Sequence, residues 1–233
     1  MDTRTAGPLL ELNKAVPSFE ESGLPPVPFS MKLMPGDCMV VETRSSSRAT
    51  MFADLCCGLV PLDAGVVKFM GLDWSDLHDR EMNALRGRIG RITRRPSWPE
   101  FLNTHLAITL QQLHHTTRPM DEVVAEAARL AEWFGLPGLP VLPPSRLSDS
   151  DLLRAACVRA FIGHPRLLLL EDPLEASPVE LQNPFLSAIT DARDKGAGVI
   201  WLVRNNAIWQ GYRQGITSMW RLADDGLVEV RTA

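Results

Sequence analysis

Apolar positions along this chain follow two rhythms. In the first 70 residues they form short runs bounded by turn residues: Leu9-Leu10-Glu11-Leu12, Phe29-Ser30-Met31-Lys32-Leu33, Cys38-Met39-Val40-Val41 and Val66-Val67-Lys68-Phe69-Met70. These runs predict strands, separated by turns at Gly23 to Pro28, Pro35-Gly36-Asp37 and Pro61 to Gly65. A first helix is expected from Thr50 to Gly58, closed by its glycine. The middle of the chain turns helical. Asp79 to Arg86 and Leu102 to His115 are candidates, and Asp121 to Phe134 sets Val123, Val124, Ala127, Leu130, Ala131 and Phe134 at helical spacing, with Asp121 as cap and Gly135 as stop. After the prolines of 137–144 come a cap at Ser148-Asp149-Ser150, a helix Asp151 to Ile162 and a buried strand Leu167 to Leu170. A helix Val179 to Lys195, a strand Val199 to Val203 and a terminal hairpin Ile216 to Val230 complete the chain.

Strands alternating with helices predict an α/β fold with a mainly parallel sheet core, an N-terminal antiparallel β part and an inserted helical subdomain. The expected organisation is one domain over 1–233, with 1–94 and 163–233 as the α/β core and 95–162 as the helical subdomain. A length of 233 residues suits one large domain with an insertion. A net charge of −4 argues against a dedicated nucleic-acid binder. Cys38, Cys56, Cys57 and Cys157 lie in apolar segments without metal-ligand spacing, so they read as buried reduced thiols. No apolar run approaches the roughly 18 residues of a membrane span, and Met1 to Pro8 lacks a signal-peptide core. The expected location is cytoplasmic, with membrane contact only through a partner.

The chemistry centres on Glu42 to Thr50, which stands between an apolar strand and a helix in the layout of a phosphate-binding P-loop. Such a loop needs glycines for positive φ and close approach to phosphate, and a lysine to neutralise charge. Here the glycine positions carry Thr43, Ser46 and Arg48, and the lysine position is Ala49. Non-glycine residues in left-handed geometry cost about 1–2 kcal/mol each, so another loop shape is expected. Thr50 reads either as a Mg²⁺ ligand or as a helix cap, the cap being the simpler account. Arg44 and Arg48, with Ser45, Ser46 and Ser47, suit an anion held by side chains or a solvated polar loop.

With further landmarks in order, the chain resembles nucleotide-binding subunits of ATP-binding cassette (ABC) transporters over residues 9 to about 230. Leu9 to Phe19 resembles the opening strand and aromatic loop, with Phe19 in the adenine-stacking position. Pro35-Gly36-Asp37 and the passage Cys57 to Gly65 follow the family pattern, and Arg88-Ile89-Gly90 resembles the strand before the glutamine loop. Leu147 to Asp151 takes the place of the LSGGQ signature, with Arg154, Ala156, Arg159 and Ala160 matching its helix. Pro165 to Pro173 resembles the Walker B region, with His164 in place of its leading Asp.

The resemblance implies a nucleotide site whose usual residues are replaced. The glutamine-loop position falls on Arg94, the signature glycines on Asp149 and Ser150 after Ser148, the switch histidine on Asn205 and the dimer-loop aspartate on Pro178. Asp149 would set an anion beside a triphosphate. Glu171 and Asp172 keep the Walker B acids in swapped order, and Asp172 as general base is one methylene short. The bland account of this pair is a polar strand end held by backbone and arginines. The basic residues Arg86, Arg88, Arg91, Arg94 and Arg95 read as a solvated or partner-facing edge. His105, His114 and His115 read as surface or boundary residues. Trp98 and Phe101 lie where family members dock a permease, with core packing as the rival account.

The expectation is a catalytically inactive ABC-type subunit, requiring neither metal nor nucleotide cofactor. It would pair with a second ABC-type subunit, the same chain or another, and dock on a permease at the cytoplasmic face of a bacterial inner membrane, without nucleic acid. Leu106 to Leu136 resembles the helical region of ATPases serving MCE-type lipid transporters. The alternatives are an atypical active ATPase that binds Mg²⁺-ATP, uses Arg48 for the lysine and Asp172 as base, and a soluble regulatory ABC-fold protein.

Overall fold

The computed structural model describes residues 7–18, 23–175, 177–204 and 209–230; Phe19 and Asn205 lie outside these. Its strands form two sheets. The smaller is antiparallel, in the order β2 (Phe29–Leu33), β1 (Leu10–Pro17), β4 (Leu62–Phe69) and β5 (Leu72–Asp73). The larger runs β10 (Gly226–Glu229), β9 (Ser218–Ala223), β3 (Cys38–Glu42), β8 (Gly198–Val203), β7 (Leu167–Glu171) and β6 (Ile89–Ile92). All its pairings are parallel except the β9–β10 hairpin.

The central strands are apolar at nearly every position because both sheet faces are covered. Along β3, Met39 and Val41 enter one core while Cys38 and Val40 enter the other. Leu167 and Leu169 alternate with Leu168 and Leu170 in the same way along β7. The first core also holds Phe29, Phe52 and Phe69 from the small sheet and the helix α1 (Ser46–Cys56). The second is built on an aromatic chain, Phe134, Phe161, Phe185 and Trp201, with ring centroids 5.6, 5.9 and 6.1 Å apart.

The helices are α1, α2 (Asp79–Arg86), α3 (Thr104–His115), α4 (Met120–Trp133), α5 (Asp149–Phe161) and α6 (Val179–Asp194). Helix α5 touches α3, α4, α6 and β6. That last contact needs Gly90, where an added Cβ would lie 1.9 Å from the Ala160 carbonyl oxygen. All four cysteines are free and buried.

Several boundaries differ from the expectation. Helix α1 begins at Ser46 instead of Thr50, because Ser45 supplies the cap. Strands β1 and β4 pair with each other beyond the predicted runs, so β4 starts at Leu62, inside the predicted turn, and β5 was not foreseen. Pro119, not Asp121, holds the N-cap position of α4, where its fixed φ suits helix entry. Val124, placed in the apolar stripe, points outward. Asp149 and Ser150 are already helical, with Ser148 alone as cap.

Candidate functional site

In a parallel sheet the carboxyl ends of the strands open onto one edge, the usual place for ligands. Thr43 follows β3, Glu171 ends β7, and Arg204 follows β8, so much of the predicted set collects there.

The segment after β3 is short. Thr43, Arg44 and Ser45 lead directly into α1, and Ser46, Ser47, Arg48, Ala49 and Thr50 are helical. None of residues 43–50 has positive φ. The backbone amide of Arg48 donates to Ser45 Oγ at 3.3 Å, and the Ser45 and Ser47 hydroxyls lie 2.9 Å apart. Thr43 is buried, its Oγ1 without a hydrogen-bond partner, and Ala49 is buried too. Arg48 reaches across to Asp224 in the β9–β10 turn at 2.5 Å, whereas Arg44 is exposed. A purely solvated loop is therefore the wrong picture for Arg48.

Thr50 is not the cap. It sits one turn into α1, where its hydroxyl donates to Glu171 Oε2 at 2.6 Å. The other Glu171 oxygen takes Arg91 Nε at 2.9 Å, and the same guanidinium bonds Asp54 Oδ1 at 2.5 Å and the Thr50 carbonyl at 3.2 Å. The Glu171 side chain is 3% exposed and that of Arg91 22%. Burial works against the Arg91 charge, but Glu171 and the hydrogen bond to Asp54 outweigh it and hold the guanidinium above its ordinary pKa.

Asp172 lies in the left-handed region at φ 44°. Its Oδ1 accepts from the Arg204 backbone amide at 3.1 Å and its Oδ2 from Arg204 Nε at 3.2 Å. Arg204 also pairs with Glu175, which in turn takes Arg94 Nε at 2.9 Å. Arg94 is thereby tied into a chain of alternating charge that ends on Asp172.

The basic run divides: Arg88, Arg94 and Arg95 are exposed, as a solvated or partner-facing edge expects, whereas Arg86 and Arg91 are partly buried. Arg91 has the internal partners just described, Arg94 pairs with Glu175 at the surface, and Arg86 donates to the carbonyls of Cys57 and Gly58 at 3.1 and 2.9 Å beneath Trp74. Sequence reasoning missed Asp54, Glu175 and Arg204, and it misplaced Arg91. Strand alternation carried the missing signal, since Arg91 shares the β6 face of buried Ile89.

Other candidates lie elsewhere. Ser148 Oγ accepts from the Asp151 amide at 3.1 Å and donates to its carboxylate at 2.8 Å, as a helix cap. Among the described residues no hydrogen bond or ion pair joins Ser148, Asp149 or Ser150 to the acid cluster. Pro178 holds the N-cap position of α6. Trp98 packs on the second core under the Arg159 guanidinium, 4.2 Å from the ring centroid, while Phe101 is 87% exposed. The two aromatic residues therefore have different environments. Among the described residues no cluster of three or more His, Cys, Asp and Glu suits a metal ion, and no helix is long and apolar enough to cross a membrane.

No family model matches the chain. In sequence it is 25% identical over 209 residues to the methionine import ATP-binding protein MetN of Rhizobium etli, covering 85% of this chain and 56% of that protein. It is 28% identical over 160 residues to the aliphatic sulfonates import ATP-binding protein SsuB of Ralstonia nicotianae, covering 66% and 50%. The chain thus spans about half the length of these curated relatives. In structure it matches the ATP-binding subunit of an ABC transporter with a TM-score of 0.79 at 17% identity, over 93% of this chain and 87% of the other. It matches the dimeric bacterial cassette MJ0796 with a TM-score of 0.79 at 16% identity, over 96% and 100%. The fold is that of an ABC ATPase cassette. In sequence the chain is similar to ATP-binding proteins of transporters, and the two named here serve import.

Proposed function

We propose that this chain is a non-hydrolysing ABC-type subunit that braces or regulates a membrane transporter by docking on its permease and pairing with a second such subunit. The observation that carries this reading is the double engagement of the acids: Arg91 on Glu171 and Arg204 on Asp172. Thr50 and Glu171 are the hydroxyl and carboxylate a Mg²⁺ ion would take, but Arg91 already sits on the same carboxylate, and two cations there repel. The arrangement as it stands does not fit a metal–triphosphate. Helical backbone over 46–50 and Ala49 in the lysine position work in the same direction.

The docking surface in this proposal is apolar and lies on the helical part. Phe101, Leu106, Leu110, Val141 and Leu142 are exposed, and Thr104 bonds the Leu142 carbonyl through both its amide and its hydroxyl, at 3.1 and 2.7 Å. That bond sets Val141 and Leu142 beside the start of α3. Such exposed apolar groups suit an interface. The cargo stays open among the import relatives; the likeness of 106–136 to lipid-transport ATPases favours phospholipid. Attachment to a permease places the chain at the cytoplasmic membrane face. The Thr50–Glu171 contact favours the second reading, an atypical ATPase with Asp172 as base.

The deciding experiment measures Mg²⁺-ATP binding and phosphate release by the purified chain, alone and with the membrane protein it co-purifies with. No saturable binding and no release above blank are expected. Turnover that disappears in Asp172→Ala would establish the second reading instead.

A further inference from the structure

A second feature lies at the opposite end of β7 from Glu171. A cleft of about 630 Å³ opens between α4 and α6, over the residues that lead into the strand. Leu130 and Trp133 of α4, Phe161 of α5, Pro165, and Ala188 and Ala192 of α6 line it with apolar surface. Trp133 is half exposed, yet its Nε1 donates to the Pro184 carbonyl at 3.0 Å, which holds the indole in place.

The charges around this cleft are unequal. Arg118, Arg129, Arg166 and Lys195 line it, against the carboxylates of Glu126 and Asp191. Both carboxylates are already engaged. Glu126 takes Arg118 at 2.7 Å and the Gly163 amide at 3.0 Å, and Asp191 takes Lys195 at 2.7 Å. Arg129 and Arg166 have no ion-pair partner among the described residues, and Arg166 Nε is buried without a hydrogen-bond partner. A buried donor without an acceptor is costly, and a bound anion would relieve it. Apolar walls, a few directed polar groups and a volume within the range of about 300–1,000 Å³ are the marks of a small-molecule pocket.

We infer that this cleft binds an amphipathic organic anion, its apolar body between Trp133 and Phe161 and its acidic group at Arg166 and Arg129. The inference goes beyond the proposed function and is independent of it, since none of the residues at the nucleotide end takes part.

Isothermal titration of the full chain with anilinonaphthalene sulfonate tests it, beside the uncharged parent anilinonaphthalene. One saturable site is expected for the sulfonate, with the parent weaker by about tenfold, the loss expected for one charge-assisted hydrogen bond. Ala188→Trp, which fills the cleft, should abolish binding. Arg166→Met should weaken it about tenfold. Arg129→Glu, at an exposed position with little bearing on folding, should weaken it in the same direction. Absence of binding, equal affinity for the parent, indifference to Ala188→Trp in a chain with unchanged circular dichroism, or competition by excess Mg²⁺-ATP would each overturn the assignment. Only the last outcome would also bear on the nucleotide end, so the two readings fail separately.

Discussion

Arg91 Nε stands 2.9 Å from Glu171 Oε1, so a side chain from β6 supplies a fixed positive charge to the last residue of β7. The two strands are neighbours in register, Arg91 pairing with Leu169 and Ile92 with Leu170. The contact therefore follows from backbone pairing, not from a flexible loop. It links β6 with the carboxylate beside α1, and through Asp54 it ties both to that helix.

Removing this cation leaves two carboxylates facing each other around a mostly buried space. Arg91→Met should lower folding stability by about 3 kcal/mol, the cost of stripping one partner from a buried pair. Adding Glu171→Leu should recover part of the loss, because the buried carboxylate is then gone and only the partly exposed Asp54 is left without its cation. Urea unfolding of the single and double variants measures both. Equal stability of Arg91→Met and the parent would show the pair to be incidental.

Ser45 caps α1, and Thr50, the expected cap, bonds Glu171 instead. Ser45→Ala should cost about 1 kcal/mol as the loss of an N-cap. Thr50→Val should cost about 1.5–3 kcal/mol by removing a hydrogen bond to a charged group. If Thr50 were the cap, Ser45→Ala would be nearly neutral in the same denaturation assay.

Gly90 is fixed by close approach. Its missing side chain lets β6 meet the backbone of α5, and Gly90→Ala would force an overlap with the Ala160 carbonyl. Overpacking of this kind costs about 1–3 kcal/mol, and the α5 side should carry the strain. Hydrogen exchange should accelerate in β6 and α5 more than in the small antiparallel sheet. Uniform acceleration would count against a local clash.

The order of elements was legible because periodicity reports burial. The continuous apolar runs of β7 and β8 could only be strands covered on both faces, and β2 and α2 fall on the predicted residues. The start of α1 was not legible. Ser45, Ser46 and Ser47 are each good caps in isolation, and only the fold selects Ser45. The fate of the arginines was hidden for a different reason. A charged residue in or just past a strand gives no sign of its partner in the sequence, and Arg91, Arg94 and Arg204 find theirs 80, 81 and 32 residues away along the chain. Likeness to a family names positions such as Arg94 but says nothing of Glu175, which decides what Arg94 touches.

The thiols give a pH test of the core. Burial pushes Cys38 and Cys57 up to about 12 from an ordinary 9.0, and it raises Cys56 and Cys157 as well. A thiol with a raised folded-state pKa holds its proton in the folded chain while the unfolded chain has already lost it. Its contribution to stability is therefore intact below pH 9.0 and disappears as pH rises toward 12. Unfolding midpoints should fall steeply across that window, and replacing Cys38 and Cys57 with Ala should flatten the alkaline slope while lowering stability at neutral pH through lost packing. Iodoacetamide at pH 8 should leave all four thiols unmodified in the native chain and label all four in urea. Rapid native labelling of Cys57, the C-cap residue of α1, would show that the helix opens on its own and that the Arg91–Glu171 contact does not hold it shut.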